Sequence, residues 1–77
     1  MKNRIEVKSG IHFGKPCVAG TRITVQDVLE LVRDNTAFEV IIRDYYPDLT
    51  EADIRACIQY AMDIMAVEDL HIDLVPA

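Results

Sequence analysis

The sequence predicts a mainly α-helical domain in which three short helices follow an extended N-terminal arm, the outline of a helix-turn-helix protein. Three observations carry this. From residue 24 onward a threonine followed three positions later by an acid recurs three times, each ahead of an apolar stripe at helical spacing. Before residue 24 the apolar residues alternate instead, at the period of a strand. Finally, 77 residues, 51% of them hydrophobic and 27% charged, leave room for one domain only. A chain of this length buries about 60% of the surface its unfolded form exposes, so its core is marginal unless a disulfide, a metal or a second chain adds burial.

In the arm, residues 1–23, Arg4-Ile5-Glu6-Val7-Lys8 alternates polar and apolar, Ser9-Gly10 supplies a turn, and Ile11-His12-Phe13 resumes the alternation. Pro16 has no N–H for a ladder, which limits Cys17-Val18-Ala19 to a short edge strand. The body, residues 24–69, opens on a capping box of Thr24 with Asp27. Val25, Val28, Leu29 and Val32 then share one face of a first helix over residues 25–34, and Asn35 is a left-handed stop. Thr36 with Glu39 is the strongest of the three boxes, because a glutamate reaches the N-cap amide better than an aspartate. It opens a second helix over residues 37–45, with Phe38, Ile41, Ile42 and Tyr45 as the buried stripe and Glu39–Arg43 as an exposed i,i+4 pair. Pro47 ends this helix.

Thr50 with Asp53 opens the third helix, residues 51–69, whose only polar row is Glu51, Arg55, Gln59 and Asp63. A helix apolar nearly all round is normally buried nearly all round, and 77 residues hold too little other protein to cover it. Part of it is therefore expected to meet a second copy, with Ile58, Met62 and Met65 as the homodimer interface. In the tail, residues 70–77, Leu70, Ile72 and Leu74 alternate with polar neighbours, which predicts a C-terminal strand paired with the arm of its own or a partner chain, or else added to the sheet edge of another protein.

Charge is unevenly placed. Residues 1–22 carry Lys2, Arg4, Lys8, Lys15 and Arg22 against Glu6, a local +4, whereas residues 23–77 carry three basic and twelve acidic groups, a local −9; together they make the net −5. The start of the third helix bears Glu51 and Asp53, which repel a phosphate backbone, and only Arg55 and Gln59 offer donors there. Nucleic-acid contacts, if made, fall to the basic arm.

Several classes are excluded. No apolar run approaches the ~18 residues of a membrane span, and the N-terminus lacks the features of a signal peptide, so a cytoplasmic protein is expected. Cys17 and Cys57 read as two buried free thiols. His12 and His71 stand alone, without metal-ligand spacing, and the carboxylates fall on polar helix faces or caps; no metal, cofactor or catalytic residue is expected, and no enzyme. Gly14-Lys15-Pro16-Cys17-Val18-Ala19-Gly20-Thr21 has two glycines and a threonine of a phosphate loop, but a proline stands where the backbone must cradle phosphate and the lysine–serine/threonine pair after the last glycine is missing.

Two stretches carry a family likeness: Gly14-Lys15-Pro16-Cys17-Val18-Ala19-Gly20-Thr21-Arg22-Ile23-Thr24-Val25, and Tyr46-Pro47-Asp48-Leu49-Thr50-Glu51-Ala52-Asp53-Ile54 followed by Ala56 and Tyr60-Ala61. Over residues 5–66 the chain resembles the small bacterial proteins known as domain of unknown function 433, departing from them at Asn35, where the family usually has glycine. The resemblance implies a dimeric winged-helix or homeodomain-like domain that serves as a VapB-like antitoxin. Its partners are then a cognate PIN-like ribonuclease, whose active site is a carboxylate cluster around a divalent metal, and operator DNA for autorepression. Lys15, Arg22, Arg55 and Gln59 are the expected DNA- or toxin-binding residues. Arg22 has two readings: a contact of this kind, or a structural clamp to an acid such as Asp48 or to helix-end carbonyls. The alternative function is a small dimeric adaptor without nucleic-acid contact.

Overall fold

The computed structural model of the chain describes residues 4–10 and 14–72, and of 67–72 the backbone alone. The alternating segments of the arm form two short antiparallel strands, β1 (Ile5–Val7) and β2 (Pro16–Val18), in the register Ile5↔Val18, Glu6↔Cys17 and Val7↔Pro16. Pro16 takes the first position of its strand, where a missing N–H is tolerated. The second alternating run, residues 11–13, lies outside the described residues.

A tight turn carries the chain from β2 into the helical body. Thr21 N–H donates to the Val18 carbonyl at 3.0 Å, and Gly20 between them has φ +78°, the conformation the third residue of a type II turn requires. Val18 N–H then donates to the Ile23 carbonyl at 2.9 Å, and Cys17 bridges Thr24. Thr24 is at once the far side of this bridge and the N-cap of α1 (Val25–Arg33). Its hydroxyl accepts from Asp27 N–H at 3.0 Å, and its own N–H donates to the Asp27 carboxylate at 3.3 Å. Val25 and Val28 are buried, with Leu29 and Val32 packed beside them, as the periodicity predicts.

α1 stops in a Schellman motif. Asn35 has φ +65°, its N–H donates to Val32, and Thr36 N–H reaches back to Leu31, each at 3.0 Å. This closure overturns the expected Thr36 capping box. With its backbone committed to the end of α1, Thr36 does not open the next helix; Ala37 is the N-cap there, without a side-chain bond.

α2 also departs from the prediction. Its first turn, Phe38–Val40, is α-helical, and it continues as a π-helix, Ile41–Tyr45, with Tyr46 N–H donating to the Ile41 carbonyl at 2.7 Å. The wider turn places residues five apart on one face. Ile41 remains buried, but the inward partner one turn on is Tyr46 rather than Tyr45, which is 52% exposed. Burial raises the Tyr46 phenol above its ordinary pKa, with Asp27 and Glu30 adding to the effect. The same widening leaves Arg43 out of ion-pair contact with Glu39; its guanidinium forks onto Asp44 at 3.0 and 3.1 Å.

Leu49 N–H donates to the Tyr46 carbonyl at 3.0 Å across Pro47 and Asp48, closing the turn into α3 (Glu51–Ile72), and Leu49 itself is buried. Thr50 and Asp53 make the predicted capping box, with Thr50 N–H donating to the carboxylate at 2.9 Å and Asp53 N–H to the hydroxyl at 3.3 Å. α3 runs on through Leu70, His71 and Ile72, where a strand is expected. Each further residue of an established helix adds a hydrogen bond without a new nucleation step, and three alternating residues are too few to oppose that. Residues 73–77 lie outside the described residues.

Val28, Ile41, Ile54 and Cys57 are fully buried and join Val18, Val25 and Leu49 in one core, to which every element but β1 contributes a buried residue; β1 adds the partly buried Ile5. The described residues thus form a mainly helical domain, three helices on a two-stranded antiparallel sheet. The capping geometry sets an expected order of stabilities in urea denaturation. Thr24→Ala and Thr50→Ala each cost about 1 kcal/mol, whereas Thr36→Ala changes stability by less than about 0.5 kcal/mol because it loses no cap.

Candidate functional site

The cationic side chains divide into those neutralised within the fold and those left available. Arg4 reaches across from the arm to Asp53 at 3.0 Å, Lys8 pairs with Glu6, Arg33 with Asp34, Arg43 with Asp44, and Arg55 with Glu51 at 2.8 Å. Lys15 and Arg22 are both exposed and, among the described residues, have no carboxylate within ion-pair distance.

The four expected binding residues therefore separate. Arg55 lies over the Phe38 ring, 5.6 Å from its centroid, while its Nε and Nη2 both bond Glu51, and Gln59 donates to Asp63 at 2.7 Å. These i,i+4 pairs engage part of the donor set that α3 was expected to offer a groove or a partner, and neutralise the charge of Arg55. Arg22 is held differently. The Thr21 hydroxyl donates to Val18 at 2.8 Å and accepts from Ile23 N–H at 3.0 Å, so both neighbours of Arg22 have anchored backbones while its own side chain stays in solvent. It borders a hollow of about 760 Å³ shared with Glu6, Lys8 and Asp48, and no ion pair joins it to Asp48; the expected clamp is not made.

Lys15 stands elsewhere, on the rim of a groove of about 600 Å³ between α1 and α3, lined chiefly by Val25, Leu29, Tyr60, Ile64 and Met65. Of the residues expected at a homodimer interface, the groove takes in Met65 and not Ile58 or Met62. Ile58 turns partly into its own core, whereas Met62 and Met65 are each 52% exposed and Ile64, missed in the sequence, is 43% exposed. The signal for Ile64 lay in the spacing Tyr60, Ala61, Ile64, Met65, one helical face beside the stripe chosen from Ile58.

The described residues hold no group of three or more His, Cys, Asp or Glu placed to bind a metal ion, and no helix long and apolar enough to cross a membrane. Both cysteines are free and buried, as expected. Cys17 donates weakly to the Lys15 carbonyl at 3.4 Å. Burial pushes the Cys57 thiol from about 9 up to about 11, with Asp53 adding to the shift, so it is protonated at neutral pH and a poor nucleophile. Asp53 moves the other way: burial raises it, but bonds from Thr50 and Arg4 outweigh that and hold it below the ordinary carboxylate value.

A raised folded-state pKa contributes stability that is complete below the unfolded value and is lost as pH rises through the folded one. The contribution of Cys57 is therefore expected to disappear between about pH 9 and about pH 11. Native protein at neutral pH should leave Cys57 unalkylated by iodoacetamide, while urea-unfolded protein reacts at once; mass spectrometry of the 57-containing peptide reads the difference.

The chain is 28% identical to a member of the same family from Anabaena variabilis ATCC 29413, whose crystal structure superposes with a TM-score of 0.67 over 94% of this chain and 70% of that one. A comparison with curated proteins finds no match. The family model for the protein of unknown function DUF433 matches residues 5–61, a span that runs from β1 through the Gly20-Thr21-Arg22 turn to the groove wall at Ala61. The chain belongs to the DUF433 family.

Proposed function

We propose that this protein is a non-enzymatic, antitoxin-like module that neutralises a cognate PIN-like ribonuclease by binding it, with Arg22 as the central contact. The observation that carries the reading is the isolation of Arg22: among the described arginines it is the one without an internal acid partner, and its loop is pinned on both sides. A guanidinium is always charged and presents a planar fork that matches a carboxylate in two parallel hydrogen bonds. A nuclease site built of carboxylates around a divalent metal is the kind of surface that such a fork occupies, competing with the metal for the same oxygens. The pinned turn lowers the ordering cost of presenting it.

Autorepression by operator binding belongs to the same reading, with the arm cations rather than α3 as the phosphate contacts. The short turn through Pro47 and Asp48 that joins α2 to α3 is compatible with it, and the acids of α3 oppose a major-groove role: Glu51 and Asp63 already hold Arg55 and Gln59. That same observation favours the second reading, a dimeric adaptor that touches no nucleic acid.

The reading predicts a small nuclease encoded in a neighbouring reading frame, and the test uses it. Its calorimetric titration with this protein should show tight binding and loss of ribonuclease activity, and Arg22→Glu should weaken binding by about 100-fold or more, the cost of removing a desolvated charge contact. Unchanged affinity removes Arg22 from the account. A gel shift with the upstream DNA at low salt separates the two readings, since phosphate-mediated binding falls by orders of magnitude on moving to moderate salt; no shift at low salt leaves the adaptor.

A further inference from the structure

We propose that Asp48 is a second determinant of the surface that carries Arg22, and that the hollow they share takes a partner protein in which an acid for Arg22 stands beside a base for Asp48. The inference deepens the reading of Arg22 as a partner contact and rests on it. The hollow of about 760 Å³ has four charged residues in its lining, Glu6, Lys8, Arg22 and Asp48. Two of them neutralise each other: Lys8 pairs with Glu6 at 3.4 Å, and the Glu6 carboxylate also accepts from Gly20 N–H at 3.3 Å. Arg22 and Asp48 are exposed and, among the described residues, have no ion-pair partner. One unspent charge of each sign therefore borders the same hollow.

Both charges stand on fixed turns. The loop of Arg22 is anchored through Thr21 and Ile23, and β1 ties down its start, since Ala19 N–H donates to the Arg4 carbonyl at 2.7 Å. Asp48 follows Pro47, whose ring fixes φ, and precedes the buried Leu49, whose N–H closes the turn onto Tyr46. An acid kept for local structure bonds its own turn or caps the helix it precedes. Here the cap of α3 is made by Asp53, and the Asp48 carboxylate has no such task among the described residues. A partner offering only acids would satisfy Arg22 but set like charge against Asp48 and strip its water, a penalty that works against wrong partners. Nucleic acid, with phosphate throughout, is the extreme of that case, so an operator contact falls to arm cations outside the hollow. Half of the lining residues, Lys8, Gly20, Arg22 and Asp48, are exposed. Such an open surface suits a protein rather than a small zwitterion, which needs a cleft that encloses most of it.

Two blocked peptides test this against the isotope-labelled full chain by NMR titration, one bearing a glutamate and an arginine, the other two glutamates. The mixed peptide should shift the amides of residues 20–22 and 48 and bind about fivefold more tightly than the acidic one, the scale of an exposed ion pair. Asp48→Lys, at an exposed turn position, should reverse that preference and raise affinity for a random DNA duplex at low salt by about tenfold. Equal affinity for the two peptides overturns the proposal, as does an absence of shifts at these amides or a preference unchanged in Asp48→Lys. The peptide comparison does not involve the nuclease: a nuclease that fails to bind sinks the toxin reading alone, and equal peptide affinities sink the role of Asp48 alone.

Discussion

Thr24 is the joint on which the rest of the molecule depends. It is a buried polar residue, 8% exposed, and it serves two structures at once. Its backbone bridges Cys17 at the edge of β2, and its side chain and N–H close the capping box that starts α1. The sheet is therefore locked to the helical body through one residue whose polar groups are satisfied locally, which removes the cost of burying them. Everything between Val18 and Thr24 is then a short loop with both ends fixed. Arg22 is displayed because its neighbours Thr21 and Ile23 are tied down, not because the loop is free.

The same economy of acids explains the electrostatic character of the surface. The net charge of −5 suggests a molecule unsuited to anionic or carboxylate partners. Within the fold, however, acids are spent on caps and on arginines: Asp27 and Asp53 close helix N-termini, and Asp53 also receives Arg4. Exposed ion pairs of this kind add little stability, but they decide which cations remain available to another molecule. Among the described residues Lys15 and Arg22 remain, on separate surfaces. One faces an apolar groove, the other a polar hollow.

Much of the fold was legible because its signals are local. The alternation around Ile5, the stripe Val25, Val28, Leu29 and Val32, the stop at Asn35, and the turn at Pro47 depend on neighbours within a few residues, and each is realised. The departures share a cause as well. Thr36 has the spacing of a cap but stands one residue past the Asn35 stop that closes α1, and two terminations compete for one backbone. Tyr45 has the spacing of a core residue, but the π turn moves that role to Tyr46. Of the candidate site, Arg22 and Lys15 were visible as charges. That Arg55 and Gln59 are engaged by Glu51 and Asp63 is readable from their i,i+4 spacing, which points inward along the helix as readily as outward to a ligand.

The helical class, the arm, two of the three caps, the free thiols and the apolar excess of the last helix all follow from periodicity, capping chemistry or composition acting over short distances. Where that excess is covered depends on how the helices pack against one another. Ile54 and Cys57 go fully into the core and Ile58 partly, while Met62, Ile64 and Met65 stay exposed, the last two along the groove beside α1. The reason is geometric: α3, at 22 residues, is much longer than α1, at nine, so a helix that is apolar along its whole length finds cover from its own chain for only its first part.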